Sequence, residues 1–306
     1  MSKDIVWFCV FLAIFMYGLT VMRVGLYNIS GDVWKKKLIL LTDHPIKGLL
    51  VGTFITAILQ SSSAIMIITI GFVTAGMLTF KQSLGIMLGA NIGTTITAEI
   101  MTINIGDVAV YIVMIGFVLL FVKNKSVFAL GTSLFGLGCI FISMQGFTSL
   151  ADSISSKSVV EQLLMYSNLY HSVAIMIGTI LTSIIQSSSA VIGIAMGFLH
   201  NQDMTISSAI AIMLGANIGT CITAFFASIG AGIEAKRTAY AHIWLNIFGV
   251  ALFFPFINPL AEWSISLASQ PESMLAHASV IFNIICSLIA LPFLGLFSRF
   301  ITAVYR

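Results

Sequence analysis

A stretch of 47 residues occurs twice in this chain. Positions 52–98 align without a gap to 178–224 at a constant offset of 126, and 25 of the 47 pairs are identical. Identity concentrates in two blocks. GTFITAILQSSSA (52–64) matches GTILTSIIQSSSA (178–190), and IMLGANIGTTITA (86–98) matches IMLGANIGTCITA (212–224). The shared residues are the polar ones and the glycines, which chance matching of apolar sequence does not produce. The fold must therefore contain two copies of one unit.

The surroundings of these polar blocks decide the solvent. Of the 306 residues, 58% are hydrophobic and 8% charged, with a mean hydropathy of +1.06. Soluble domains carry about 25% charged residues, so water cannot be the solvent for most of this chain. The apolar run from Ile5 to about Leu26 is too long for the core of a signal peptide and has no A-x-A site after it; it reads as a membrane helix. The net charge of +3 points to no nucleic-acid partner, and Lys35-Lys36-Lys37 reads as a cytoplasmic loop anchor. Cys9, Cys139, Cys221 and Cys286 lie in apolar segments without metal-ligand spacing, so they read as small buried hydrophobes rather than zinc or disulfide partners.

The stretch 47–78 has a polar Gln60-Ser61-Ser62-Ser63 at its middle. It is too short for two crossings, which would need about 40 residues. We read it as a re-entrant hairpin with its tip at membrane depth, tolerated where protein or a water-filled cavity covers it. The duplicate spans 170–199, with its tip at Gln186–Ser189. Crossing helices are expected over 5–27, 83–103, 107–122, 127–148, 207–230, 238–260 and 274–298, with those at 83–103 and 207–230 broken near their GANIGT glycines. Twelve of the 14 Lys and Arg then fall on one side, the cytoplasmic one by the positive-inside rule. The N-terminus lies outside and the C-terminus inside. The 47–78 hairpin enters from the cytoplasm and the 170–199 hairpin from outside, so repeat 1 (1–125) and repeat 2 (126–306) are inverted. That is an architecture of secondary transporters.

In hydrocarbon each unsatisfied hydroxyl or amide costs several kcal/mol, so the QSSS tips must face each other, water or a ligand. Hydroxyls both donate and accept. Helix N-termini supply N–H groups and a positive dipole end that suit an oxyanion. Carbonyl, glutamine and hydroxyl oxygens suit sodium. With no Arg or Lys expected in the core, the charge of an anion must be offset by dipoles and co-bound cations, a physical reason to expect sodium coupling. Glu99 is the one acid well inside an apolar helix, and its duplicate is Phe225; it reads as a cation ligand, a proton site or a boundary residue. His171, His242 and His277 read as interfacial or packing residues at or near helix ends. No nucleophile–base constellation and no P-loop is visible, so an enzyme is not expected.

Two GxxxTxxxQSSSA blocks, each followed by GANIGT, resemble the type II sodium/phosphate cotransporter family, as do FLAIFMYGLTVMRVGL (11–26) and RTAYAHIWLN (237–246). The resemblance is to short bacterial members without the C-terminal PhoU-like domain, which implies no phosphate-signalling regulation in cis. Ser279 stands where the family pattern has His. The resemblance implies an all-α, inverted-repeat, elevator-like fold in the plasma membrane that carries inorganic phosphate in symport with Na+. Phosphate would meet Ser61, Ser62, Ser63, Ser187, Ser188, Ser189, Asn91 and Asn217. Sodium would meet Gln60, Gln186, Thr94, Thr95, Thr220 and Glu99. No organic cofactor is implied, the lipid bilayer is the surrounding partner, and a symmetric homodimer is the default assembly. The residue chemistry leaves sulfate, a carboxylate or a phosphonate open as the anion, and leaves open a sensor that binds phosphate without moving it.

Overall fold

The computed structural model describes residues 3–30 and 44–305; Lys35–Lys37 and Arg306 lie outside the described residues. Among the described residues every regular element is helical. The first part of the chain forms α1 (Lys3–Ser30), α2 (Pro45–Leu59), α3 (Ser62–Thr74), α4 (Phe80–Met101), α5 (Val108–Leu119) and α6 (Lys125–Ser155). There follow α7 (Ser158–Leu169), α8 (His171–Ile185), α9 (Ser188–His200), α10 (Ile206–Gly219) and α11 (Cys221–Ala227). The last four are α12 (Ile233–Phe253), α13 (Ile257–Leu267), α14 (Pro271–Ala290) and α15 (Leu294–Val304).

Among the described residues six stretches are long and apolar enough to cross a membrane: Lys3–Ser30, Phe80–Met101, Lys125–Ser155, Ile206–Ala227, Ile233–Leu267 and Pro271–Val304. Large apolar side chains such as Phe54, Phe121 and Ile184 are 64 to 74% exposed, a rind that lipid covers and water would not. This is an all-α membrane protein.

Local chemistry explains where the helices start and bend. Thr79 and Gln82 form a capping box at the head of α4, and Thr205 caps the Ser208 N–H at the head of α10. Pro255 and Pro292 remove an N–H from the ladder. The chain answers with 3-10 turns at Phe254–Phe256 and Leu291–Phe293, so α12–α13 and α14–α15 are bent rods.

Both copies of the duplicated unit pack alike. α2 runs parallel to α4, and α8 runs parallel to α10, at near-backbone contact. A Cβ at Gly89 would stand 2.1 Å from the Leu49 carbonyl; at the equivalent Gly215 it would stand 2.0 Å from that of Ile175. The glycines of GANIGT therefore serve close approach. This corrects the expected broken helix over 83–103: α4 is continuous from Phe80 to Met101, because its glycines face α2 rather than unwind. The second copy is interrupted at Thr220, between α10 and α11.

A second set of helices forms a separate layer. α1 lies antiparallel to α6, with Gly18 against Cys139 and the Gly136 carbonyl, and Gly25 against Ser133. α5 packs on α6 through Gly116 and Gly131. At 12 residues, α5 is shorter than the crossing expected over 107–122. The region 149–169, to which the apolar pattern assigns no element between the helix over 127–148 and the hairpin over 170–199, holds the end of α6 and the whole of α7.

Gly89→Ala and Gly215→Ala are each expected to destabilise the protein by about 1–3 kcal/mol through overpacking. Gly71, with nothing within 4 Å of a built Cβ, is the control: Gly71→Ala leaves the melting temperature in detergent unchanged or raised.

Candidate anion and cation site at the two polar turns

The QSSS sequence has a definite local job, performed identically in both copies. Gln60 ends α2 in the left-handed region (φ 53°), and Gln186 ends α8 there (φ 57°). Their N–H groups bond the carbonyls of Thr56 and Thr182 at 2.7 Å. A non-glycine residue in this region is uncommon and costs about 1–2 kcal/mol, a strain that concentrates at functional sites. The next residue is extended and caps the following helix. The Ala64 N–H donates to Ser61 Oγ at 3.2 Å, and the Ala190 N–H to Ser187 Oγ at 3.3 Å. Ser62, Ser63, Ser188 and Ser189 thus occupy the first helical positions, where N–H groups have no partner within the helix.

The two turns meet. The six serines of both tips, with Gln60, Gln186, Thr94 and Arg23, line one cavity of about 40 Å³. At about 10–15 Å³ per water, that holds three or four water-sized groups, the scale of a small inorganic ion. Two helix N-termini aim at it, each carrying roughly half a positive charge. The turns are not equivalent in cover: Gln60 is buried, whereas Gln186 is exposed. Gln60 Oε1 accepts from Thr97 Oγ1 at 2.8 Å, while Thr223, the duplicate of Thr97, donates to its own helix at the Thr220 carbonyl.

Arg23 is the residue that sequence reasoning missed. The expectation that no Arg or Lys enters the core is corrected: Arg23, on α1, lines the cavity and its Nε donates to the Gln60 carbonyl at 2.8 Å. Among the described residues no carboxylate pairs with it. It sits about two turns inside the end of α1, and its reach along that helix carries the guanidinium to the tip of α2. The only signal in the sequence was an arginine between Met22 and Gly25, two residues that face α6.

The remaining expected ligands are not brought to this cavity. Asn91 lines a separate cavity of about 190 Å³ with Asn246, Asn283 and Ser287, and its Nδ2 donates to Asn246 Oδ1 at 3.4 Å. Asn217, Thr95 and Thr220 donate to carbonyls of their own helices, at Met213, Ile92 and Ala216, as polar residues in apolar helices commonly do. Glu99 Oε1 lies 2.8 Å from His277 Nδ1, so α4 is tied to α14 by a pair that sequence spacing did not reveal. His242 lies mid-helix in α12 and fully buried, with Nδ1 unpartnered, rather than at a helix end.

Two serine-lined helix turns thus enclose a small polar cavity within an all-α membrane protein. The Na+/Pi-cotransporter family description matches residues 14–149 and 153–269, and the chain belongs to this family. It is 40% identical over 295 residues to the YqeW protein of Bacillus subtilis, covering 96% of each chain. It is 24% identical over 298 residues to YjbB of Salmonella typhimurium, described as an inorganic phosphate export protein; the match covers 96% of this chain and 54% of that one. A 97-residue stretch, 30% of this chain and 15% of the relative, is 33% identical to sodium-dependent phosphate transport protein 2A of Ovis aries. No solved structure matches the chain significantly.

Thr97→Val leaves a buried Gln60 oxygen unpaired and is expected to cost about 1–3 kcal/mol. Thr223→Val, which removes only a bond within one helix, costs less. Thermal unfolding of the two variants side by side checks this.

Proposed function

We propose that this protein is a secondary active transporter that carries inorganic phosphate with sodium across the plasma membrane by alternating access, and is not an enzyme. One observation carries the reading: two helix N-termini bearing six serines converge, with an arginine, on a cavity the size of a small oxyanion. Phosphate meets the hydroxyls and free N–H groups of Ser61–Ser63 and Ser187–Ser189, with donors from both turns holding a tetrahedral anion from two sides. Sodium meets the oxygens of Gln60, Gln186 and Thr94. The relatives' names support phosphate and sodium. The charge argument alone does not demand sodium, because Arg23 and the helix dipoles already favour an anion.

The inverted arrangement is supported by which ends of the helices meet. Ser83, near the head of α4, bonds Thr238 near the head of α12 at 3.1 Å. There too Arg237 Nε donates to the Tyr305 carbonyl. Glu99, near the tail of α4, meets His277 of α14. Farther along that face, His200 at the tail of α9 pairs with Glu272 of α14, and Asn168 bonds the Asp203 carbonyl. On this reading the α2–α3 turn is inserted from the cytoplasm and the α8–α9 turn from outside, with the N-terminus outside and the C-terminus inside. The α1–α5–α6 layer is the fixed body of an elevator, and the units α2–α4 and α8–α11 move past it. Net direction follows the gradients, and export is the direction named for the YjbB relatives.

Purified protein in liposomes is expected to take up radiolabelled phosphate only under a sodium gradient, with Ser62→Ala plus Ser188→Ala lowering the rate at least tenfold. Phosphate flux indifferent to sodium overturns the coupling. Stronger competition by sulfate than by unlabelled phosphate overturns the substrate.

A further inference from the structure

Arg23 does more than add charge, because of the atom it holds. The Gln60 carbonyl belongs to the residue that caps the C-terminal end of α2, in the left-handed turn, and no backbone N–H of the helix takes it up. It is one of the unwound oxygens that a sodium ion at this tip would use. In this structure Arg23 Nε occupies it at 2.8 Å. A guanidinium carries further N–H donors in a rigid fork that matches two oxygens of a tetrahedral oxyanion. The same side chain therefore has two competing partners within one small cavity: a carbonyl that sodium wants, and an anion.

We propose that Arg23 makes sodium binding conditional on the anion: without phosphate it covers the Gln60 carbonyl and repels a second cation, and with phosphate it turns to the anion and frees both. The inference rests on the reading of this cavity as a phosphate and sodium site. It assigns Arg23 a specific task there, the suppression of sodium passage without cargo. The physics is a coupling between two ligands through one element with two arrangements, so each ligand must raise the affinity of the other. At the separations available in a 40 Å³ cavity, the repulsion between a guanidinium and a sodium ion is large even at an effective dielectric constant of about 20. Arg23 is the one charged residue among those that line the cavity. Glu99 is paired with His277, and among the described residues no acid reaches Arg23. Arg23 also comes from the α1–α6 layer, whereas Gln60 belongs to the α2–α4 unit, so the bond spans the two groups of helices that the proposed cycle moves apart.

The test compares wild type, Arg23→Gln and Arg23→Lys, purified in lipid nanodiscs. Sodium binding is measured without phosphate, with choline as the replacing cation, and phosphate binding is measured with and without sodium. The expected result has opposite signs. Arg23→Gln binds sodium alone about tenfold or more tightly than wild type, binds phosphate about tenfold or more weakly, and passes sodium in liposomes without phosphate. Arg23→Lys, which keeps the charge, stays near wild type for sodium alone. If Arg23→Gln weakens both ions together, or leaves both unchanged, Arg23 is only a brace for the turn and the inference falls. If wild type itself binds no phosphate in either salt, the underlying reading of the cavity fails instead.

Discussion

Two left-handed glutamines set everything else in this protein. Each ends one short apolar helix and delivers a serine to cap the next, so the chain reverses at a polar point between two apolar helices. The strain at each turn, about 1–2 kcal/mol, and the desolvation of six hydroxyls must be offset by packing. Glycine-mediated contact of α2 with α4 and of α8 with α10 supplies that packing, and the close spacing 2.0–2.1 Å from a built Cβ to the facing carbonyl at Gly89 and Gly215 leaves no room for any other residue. The proposed function follows from the same constraint: polar groups that lipid cannot satisfy face one another across a cavity suited to a small ion.

The two copies have diverged where symmetry would give no direction. Gln60 is buried and held by Thr97, Gln186 is exposed, and α4 is continuous where α10 and α11 are separated at Thr220. Glu99 faces His277, whereas its duplicate Phe225 meets the Tyr240 ring at a tilt of 56°. An alternating-access cycle needs two states related in kind but unequal in energy. These differences give the two sides of the cavity different covers, while the core chemistry of the turns stays the same.

Much of this was legible in the sequence, and the reasons are physical. A polar tetrad inside an apolar run forces a turn, and its duplication at an offset of 126 places a second turn without any further information. The bends at Pro255 and Pro292 are not among the features read there: the apolar pattern alone leads to single crossings over 238–260 and 274–298. What failed to show were properties that depend on rotation and reach. Whether a glycine row unwinds a helix or packs it depends on which neighbour it faces, and the close approach of α2 to α4 is not written in Gly89 or Gly93 alone. Asn91 belongs to the GANIGT block that follows the first turn, yet its side of α4 faces Asn246 and Asn283. Arg23 counts with the twelve basic residues of the cytoplasmic side, because counting along the chain cannot tell that a long side chain reaches sideways to the tip of another helix.

The central claim is that one small oxyanion sits between the two turns, held by serines from both copies and by Arg23. Anomalous diffraction from crystals grown with sodium arsenate, a heavier stand-in for phosphate, tests this most directly. The account predicts a single strong arsenic peak within hydrogen-bond distance of Ser62 and Ser188 and beside the Arg23 guanidinium. A peak beside Asn91 and Asn246 instead, with the space between the turns unoccupied, would contradict it.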